Sequence, residues 1–302
     1  MPRPEITVVG SANLDLVVDV GHVPLVGETV LGGDLRRIPG GKGANQAVAA
    51  ARLGRAVAMV GRLGDDEGGS ILRDALEADG VDTSALTTTA DVPNGVAMIA
   101  VDAEGDNAIV VSPGANGRMT AEDVRRAGTL VSDADCVLLQ LEVPVEAVTA
   151  AAEAATGTVI LNPAPAPEAP LPDALLDQID ILVPNQTELA TLAGHDGPVD
   201  AATAVELAGL LSAPIVVVTL GSAGALVVTE GHTELVPAPK VDPVDTTAAG
   251  DSFCGAMADA LVRGNDIVGA VRWAVRVGAA TTQRAGAQPS LPTPDEVETL
   301  LA

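Results

Sequence analysis

The chain has 302 residues, 47% of them hydrophobic, and 41 acidic residues against 16 lysines and arginines, for a formal net charge of −25 at pH 7. So acidic a protein is a poor partner for nucleic acids or anionic membranes, which need a basic footprint. With aromatics at 1% and no Tyr, the core must be aliphatic and base stacking on aromatic rings is disfavoured. At this length, one large domain with a small accessory element is the simplest division, burying about 75% of the unfolded surface.

Residues 6–9 (Ile-Thr-Val-Val) predict a first buried strand, which ends in a polar segment through Asn13 and Asp15. Residues 16–20 continue extended. Residues 27–38 alternate apolar positions with glycines, which predicts strands or a hairpin. Gly40-Gly41-Lys42-Gly43-Ala44-Asn45 then opens a helix with an apolar stripe at Ala47, Val48, Ala51 and Leu53, and Gly54 ends it. A strand over 56–60 and a helix over 70–78 follow. Between 92 and 112 the pattern changes: apolar runs at 96–101 and 108–111 flank turn-forming residues, as in a hairpin. This hairpin breaks the alternation of strands and helices. It is therefore expected off the main sheet, with the strands of 27–38, as a small β lid over a cleft.

After Thr120 the alternation becomes regular. Helices over 121–131, 145–155, 186–193 and 201–211 separate strands over 136–141, 159–161, 179–183 and 215–219, and 225–228 is a further strand. Continuous apolar strands between helices predict a parallel sheet covered on both faces. Ligands of such sheets sit beyond the carboxyl ends of the strands. Asn13, Asp15, Glu142, Asn162, Asn185 and Thr219 all fall at those ends. Residues 163–172 form a proline-rich loop. Cys136 and Cys254 lie far apart in apolar surroundings, as buried free thiols of a reducing compartment do. The first apolar run is too short for a signal segment and none reaches ~18 residues, so a cytoplasmic protein without a membrane span is expected.

Several chemistries have no motif. Lys42 is followed by Gly43, so the phosphate loop Gly-x-x-x-x-Gly-Lys-[Ser/Thr] is absent, and so are Gly-x-Gly-x-x-Gly after the first strand and Gly-x-Ser-x-Gly. His22, His195 and His232 are scattered in loops and read as surface residues. The informative stretch is Val244-Asp245-Thr246-Thr247-Ala248-Ala249-Gly250-Asp251-Ser252-Phe253. Small residues there lead into an apolar helix beginning at Gly250 or Asp251. The unpaired N–H groups of a helix start attract anions, and without bulky side chains a phosphate can approach them. Asp251 either caps that helix or takes a proton from an attacking hydroxyl.

Other segments carry the same two readings. Asn13 and Asp15 are either a strand-end turn or a pair of acceptors for vicinal hydroxyls. Lys42 and Asn45 sit at a helix mouth, as cap residues or as donors to further hydroxyls, and Glu142 is an acceptor. Asn185-Gln186-Thr187-Glu188 is a capping-box pattern that also suits a phosphate-bound Mg²⁺ held through water. Thr219-Leu220-Gly221-Ser222-Ala223-Gly224 is an ordinary turn or a backbone cradle for nucleotide phosphates.

Taken in order, these segments resemble the ribokinase-type (PfkB) sugar kinases. Gly40 to Asn45 and Asp245 to Asp251 look like the family's paired motifs. Asn13-Leu14-Asp15, Gln140-Leu141-Glu142, Asn162-Pro163-Ala164-Pro165-Ala166, Pro184 to Glu188, Thr219 to Gly224 and Gly286-Ala287-Gln288-Pro289-Ser290 fall between or after them in family order. The resemblance covers essentially the whole chain. It implies a ribokinase-like three-layer α/β/α sandwich with a mostly parallel central sheet and a lid built from about 16–38 and 92–112. The implied activity is transfer of phosphate from ATP to O5 of D-ribose, with Mg²⁺ required, K⁺ activating, and a homodimer formed through the lid. Asp251 would be the base, and the amides of Ala248, Ala249, Gly250 and Asp251 the anion hole. Asn13, Asp15, Gly41, Lys42, Gly43, Ala44, Asn45 and Glu142 would hold the sugar. Asn185, Thr219, Leu220, Gly221, Ser222, Ala223, Gly224 and Gly250 would hold ATP, with Glu188 ordering Mg²⁺ through water. Asp245, Thr247, Thr281, Arg284, Gly286 and Ser290 would hold the monovalent cation. Val275 stands near the adenine where the family often has histidine, which puts the base contacts in question. The rival readings are a related kinase for another pentose, ketose, deoxy sugar or nucleoside, and a sugar-binding regulator without catalysis.

Overall fold

The computed structural model describes residues 3–102 and 104–302. The chain opens with β1 (Ile6–Val9), which enters the main sheet. It continues into β2 (Asn13–Asp19) and β3 (Arg36–Gly40) of a second, smaller sheet, then into helix α1 (Lys42–Arg52). β4 (Val57–Gly64), α2 (Glu67–Ala78) and β5 (Asp82–Thr89) return to the main sheet, and β6 (Gly95–Val101) and β7 (Asn107–Ser112) complete the small one. Then come α3 (Ala121–Ala127), α4 (Thr129–Ser132), β8 (Cys136–Leu139), α5 (Val145–Ala154), β9 (Thr158–Leu161), α6 (Asp173–Leu176) and β10 (Ile181–Leu182). α7 (Gln186–Ala193), α8 (Ala201–Ala208), β11 (Ile215–Thr219), β12 (Ala225–Thr229), β13 (His232–Val236), α9 (Ala249–Val262), α10 (Ile267–Thr281) and α11 (Pro294–Leu300) complete the chain.

The main sheet runs β13-β12-β11-β10-β9-β8-β1-β4-β5, parallel from β11 to β5, with β12 and β13 antiparallel at one edge. Its central strands are apolar on both faces, and that is why they read as continuous runs. Alternate residues feed two cores. Ile6, Val8, Met59 and Leu138 pack with α1, α2, α9 and α10, whereas Val9, Val137, Leu139 and Leu161 pack with α3 and α5. Fully burying each such side chain contributes roughly 1.5–3 kcal/mol. The register Val9↔Leu139↔Leu161 aligns the strand ends, so the residues that follow β1, β8 and β9 emerge side by side. Among the described residues, no helix is long and apolar enough to cross a membrane.

The small sheet has the order β3-β2-β6-β7 and begins three residues before the lid expected from residue 16. Of the predicted 27–38 strands only 36–38 form, as the start of β3; 27–35 is irregular and mostly exposed. The helix predicted over 121–131 is two helices, because Gly128 has φ 53 and breaks it. The helix predicted over 70–78 starts at Glu67, because the Asp66 side chain accepts from Gly69 N–H at 2.8 Å and caps it. α9 begins one residue earlier than expected.

Candidate active site

The sugar end forms where β1 hands over to β2. Gly41, at φ 90, turns the chain from β3 into α1; a Cβ there would lie 2.5 Å from the Asn13 nitrogen. A Cβ on Gly43 would lie 2.6 Å from the Ser11 nitrogen. The glycines of this segment therefore let the start of α1 lie against the end of β1. Gly40 likewise makes room for the Asp15 carboxylate, which a Cβ would meet at 2.3 Å.

Glu142, following β8, reaches this junction. It accepts from Ser11 Oγ at 2.5 Å, from Lys42 N–H at 3.1 Å and from Asn13 Nδ2 at 3.4 Å. Asn13 and Asp15 were expected as two acceptors, but Asn13 Oδ1 already accepts from Asn116 Nδ2 at 2.7 Å. Asn13 therefore presents its N–H₂ to the site, and Asp15 supplies the acceptor. Burial pushes the Asp15 carboxyl up to about 7, helped by the negative charges of Glu142 and then Asp251. Lys42 is the counter-charge: burial works against its ammonium form, yet Asp251, Glu142 and Glu188 together hold its pKa above the usual lysine value.

Asp251 lies in the first turn of α9 but does not cap it. The N-cap is Ala248, in the left-handed region at φ 60, and among the described residues no side chain caps the helix. Instead the buried carboxylate reaches across to α1: Asn45 Nδ2 donates to Oδ2 at 2.8 Å and Gln46 Nε2 to Oδ1 at 3.3 Å. Burial raises its pKa, Lys42 and Asn45 pull it down, Glu142 pushes it up and Gln46 pulls it down. The net rise brings it toward the working range of a base at neutral pH. Beside it, the N–H groups of Gly250 and Asp251 meet no acceptor among the described residues. These amides, at the positive end of a 14-residue helix, form an anion site.

Gly250 borders a cavity of about 590 Å³ lined also by Thr219, Gly221, Ser222, Gly224, Ala249, Phe253 and Val275. Thr219 ends β11 and pairs with Asn185 in an isolated bridge, which sets the two predicted nucleotide segments side by side. A Cβ on Gly250 would touch nothing within 4 Å. Gly250→Val is therefore expected to leave the melting temperature unchanged while lowering kcat/KM for the nucleotide by about 10²-fold, read by thermal melts and steady-state assays. Loss of stability matching the loss of activity would argue that the glycine serves packing alone. A second cavity, about 720 Å³, opens at the other end of the strands beside Arg3, Asp135 and Asp180; none of the residues singled out from the sequence borders it.

Not every expected residue faces the site. Ala44 lies on the fully buried face of α1 and its N–H donates to Ser11 O, while Leu220 packs under α8. Asn185 and Glu188 form the capping box: Glu188 N–H donates to Asn185 Oδ1 and Asn185 N–H to Glu188 Oε2, both at 2.8 Å. Of the cation residues, Asp245 accepts from Thr247 N–H at 2.9 Å and Gly286 N–H at 2.7 Å, which ties the two loops together. Its carboxyl stays below the usual range because these hydrogen bonds outweigh its burial. Thr281 Oγ1 lies at hydrogen-bond distance from both Ser252 Oγ and Val277 O, Ser290 Oγ donates to Ala287 O, and the Arg284 side chain pairs with Glu296, so their side chains are otherwise occupied.

Sequence reasoning missed Asn116 and Asn94, which fix the Asn13 segment. Asn94 Nδ2 donates to Ala12 O and its Oδ1 accepts from Gly64 N–H. It also missed Gln46, and the 238–243 loop that closes the nucleotide cavity.

The profile of the pfkB family of carbohydrate kinases matches residues 3–294. The ribokinase of Bacillus subtilis is 41% identical over 300 residues, covering 98% of this chain and 99% of that protein. The ribokinase of Thermotoga maritima superposes with a TM-score of 0.89 at 36% identity, over 99% of each chain. The Arabidopsis thaliana ribokinase complexed with ribose and ATP does so with a TM-score of 0.87 at 34% identity, also over 99% of each chain.

Proposed function

The chain belongs to the pfkB family of carbohydrate kinases, and on that premise we propose that it transfers the γ-phosphoryl group of ATP to O5 of D-ribose, giving D-ribose 5-phosphate. One observation carries this reading: two acceptor-free amides and a buried carboxylate share the first turn of α9, between the polar side chains of β2 and α1 and the cavity. Asn13, Asp15, Gly41, Lys42, Asn45 and Glu142 hold the sugar so that its terminal hydroxyl meets Asp251. Asp251 accepts the O5 proton as the O5–phosphorus bond forms and the bond to the leaving ADP breaks. The amides at the start of α9 take up the charge on the transferring group, and Lys42 offsets the surrounding carboxylates. Such a reaction needs positioning and charge stabilisation more than covalent chemistry.

Two cations complete the reading. Among the described residues, no three His, Cys, Asp or Glu cluster as a metal cage. That suits Mg²⁺, which keeps much of its water and is held largely by substrate phosphates. Glu188 would hold its water shell, and the ion would neutralise phosphate charge. Asp245 is ionised and joins two loops, as a carboxylate-and-carbonyl site for K⁺ requires. Because ATP is the donor, the reaction belongs in the cytoplasm.

The small sheet acts as the lid, and the chain works as one unit with it. Met98, Ile109, Val110 and Val111 expose 46–61% of their surface, and β7 is exposed throughout. Such an apolar edge calls for cover. We infer that two lids cover each other, so light scattering should give twice the 30.1 kDa chain mass; the single-chain mass at assay concentration would count against the pairing.

A substrate panel tests the reaction. Ribose is expected to give the highest kcat/KM among ribose, deoxyribose, fructose and adenosine, with a slower rate when K⁺ is left out. A higher value for another acceptor would reassign the substrate, and sugar binding without turnover would point to a regulator.

A further inference from the structure

Gln46 is fully buried, borders neither the cavity nor any solvent, and yet touches the base. Both of its N–H donors and its oxygen are engaged. Oε1 accepts from Gln140 Nε2 at 2.6 Å, and Nε2 donates to Asp251 Oδ1 and to Asn162 Oδ1, both at 3.3 Å. Asn162 is itself fixed, because its Nδ2 donates to Val183 O at 2.9 Å. Its oxygen therefore faces Gln46 and requires a donor there. Gln140, whose own Oε1 has no partner among the described residues, turns its N–H₂ to the Gln46 oxygen. Only one orientation of the Gln46 amide gives Asn162 its donor, and that orientation aims N–H at Asp251.

The packing is built for this chain of amides. A Cβ on Gly10 would lie 1.9 Å from Gln140 Oε1, so the glycine after β1 leaves the space Gln140 occupies. A Cβ on Gly255 would lie 2.8 Å from the Ala49 methyl and 2.9 Å from Gln46 O, so α1 and α9 meet closely enough for the side chain to cross. We propose that Gln46 is a positioning residue for phosphoryl transfer: oriented by Gln140 and Asn162, it holds the Asp251 carboxylate in its reactive plane and favours its charged form. The inference rests on the reading of Asp251 as the base.

The groups that face Asp251 are Lys42 and Asn45 from α1, Glu142 after β8, Asp15 from β2, Glu188 from α7 and Cys254 on its own helix. Lys42 and the donors favour the carboxylate; burial and the other acids oppose it. Removing one donor tips that balance toward the protonated acid.

The test is a kcat–pH profile for Gln46→Leu and for Gln140→Met, with ribose KM at each pH. Gln46→Leu is expected to move the acid limb upward, lowering kcat about ten-fold on that limb and restoring it at higher pH, with ribose KM within about two-fold. Gln140→Met, one step further from the carboxylate, should show a smaller shift of the same sign, and it carries the test if Gln46→Leu does not fold. A uniform loss at every pH, an unmoved acid limb, or a change confined to KM would overturn the assignment. Asp251→Asn separates the two levels. If the acid limb persists in that variant, the base reading fails. If the limb vanishes there but stays in place in both glutamine variants, only the role of Gln46 fails.

Discussion

Asp251→Asn is expected to lower kcat by about 10²–10⁴-fold while ribose affinity stays within a few-fold of the parent protein. Asparagine keeps the size and planarity of the side chain, and Asn45 still has an oxygen to meet. What it loses is the ability to take a proton. Stability should hold, because the relief of burying no charge is offset by the amide N–H₂ that now faces the Asn45 or Gln46 donor. Isothermal titration with ribose, single-turnover kinetics and thermal melts separate the three quantities. A variant that turns over at the parent rate would remove Asp251 from the chemistry; one that loses ribose binding in step with activity would make it a sugar contact.

The second large effect concerns Asp15. Among the described residues its carboxyl accepts no hydrogen bond that would offset burial and the neighbouring charges of Glu142 and Asp251, so its pKa rises to about 7. Between the unfolded value of 3.8 and about 7, the native state binds the proton and the unfolded chain does not. Stability is therefore greatest at low pH within this window and falls as pH rises through it, by on the order of 2–4 kcal/mol from this group. Glu188 and Asp251 are raised as well and act in the same direction. Asp15→Asn should thus stabilise the ligand-free protein near about pH 8 and flatten its stability between about pH 5 and about pH 8. The same variant should raise ribose KM by about 10–100-fold, since a charged acceptor for the sugar is lost. Urea melts at the two pH values and ribose kinetics read both. Unchanged stability together with unchanged KM would mean that Asp15 neither carries this strain nor meets the sugar.

Together these two acids, with Glu142, form a concentrated negative site around one lysine. The chain holds two lysines, Lys42 and Lys240; Lys42 stands among the three acids, while Lys240 borders the nucleotide cavity. In a protein of net charge −25, that placement gives the only flexible ammonium groups to the region that must receive a polyphosphate.

Much of this was legible in the sequence, for a physical reason. Strands buried on both faces have to be apolar throughout, so β1, β8, β9 and β11 stood out. A polar residue at the end of such a run or a few residues beyond it, such as Thr219, Glu142 or Asn13, could only be at the strand mouth. The edges were less legible. β5 is rich in threonine and half exposed, and β13 is mostly exposed, so neither carries the apolar signal. Gly128 sits inside a helical pattern that its positive φ breaks, and composition does not reveal φ.

At the site, Asp251 was legible because a carboxylate follows a run of small residues at a helix start. Its supports were less so: Gln140 and Asn162 lay in matched segments, but nothing gave them a role. Gln46, Asn94 and Asn116 are ordinary amides far apart in the chain, and only the fold brings their donors and acceptors together. The orientation of Asn13 followed from Asn116 in the same way. Such hydrogen bonds leave no periodicity to read.

The most direct test is a crystal structure with D-ribose and a non-hydrolysable ATP analogue bound together. The account predicts O5 within hydrogen-bond distance of the Asp251 carboxylate and in line with the terminal phosphate, with that phosphate on the amides of Gly250 and Asp251. A sugar whose O5 points away from Asp251, with no phosphate oxygen on those amides, would contradict it.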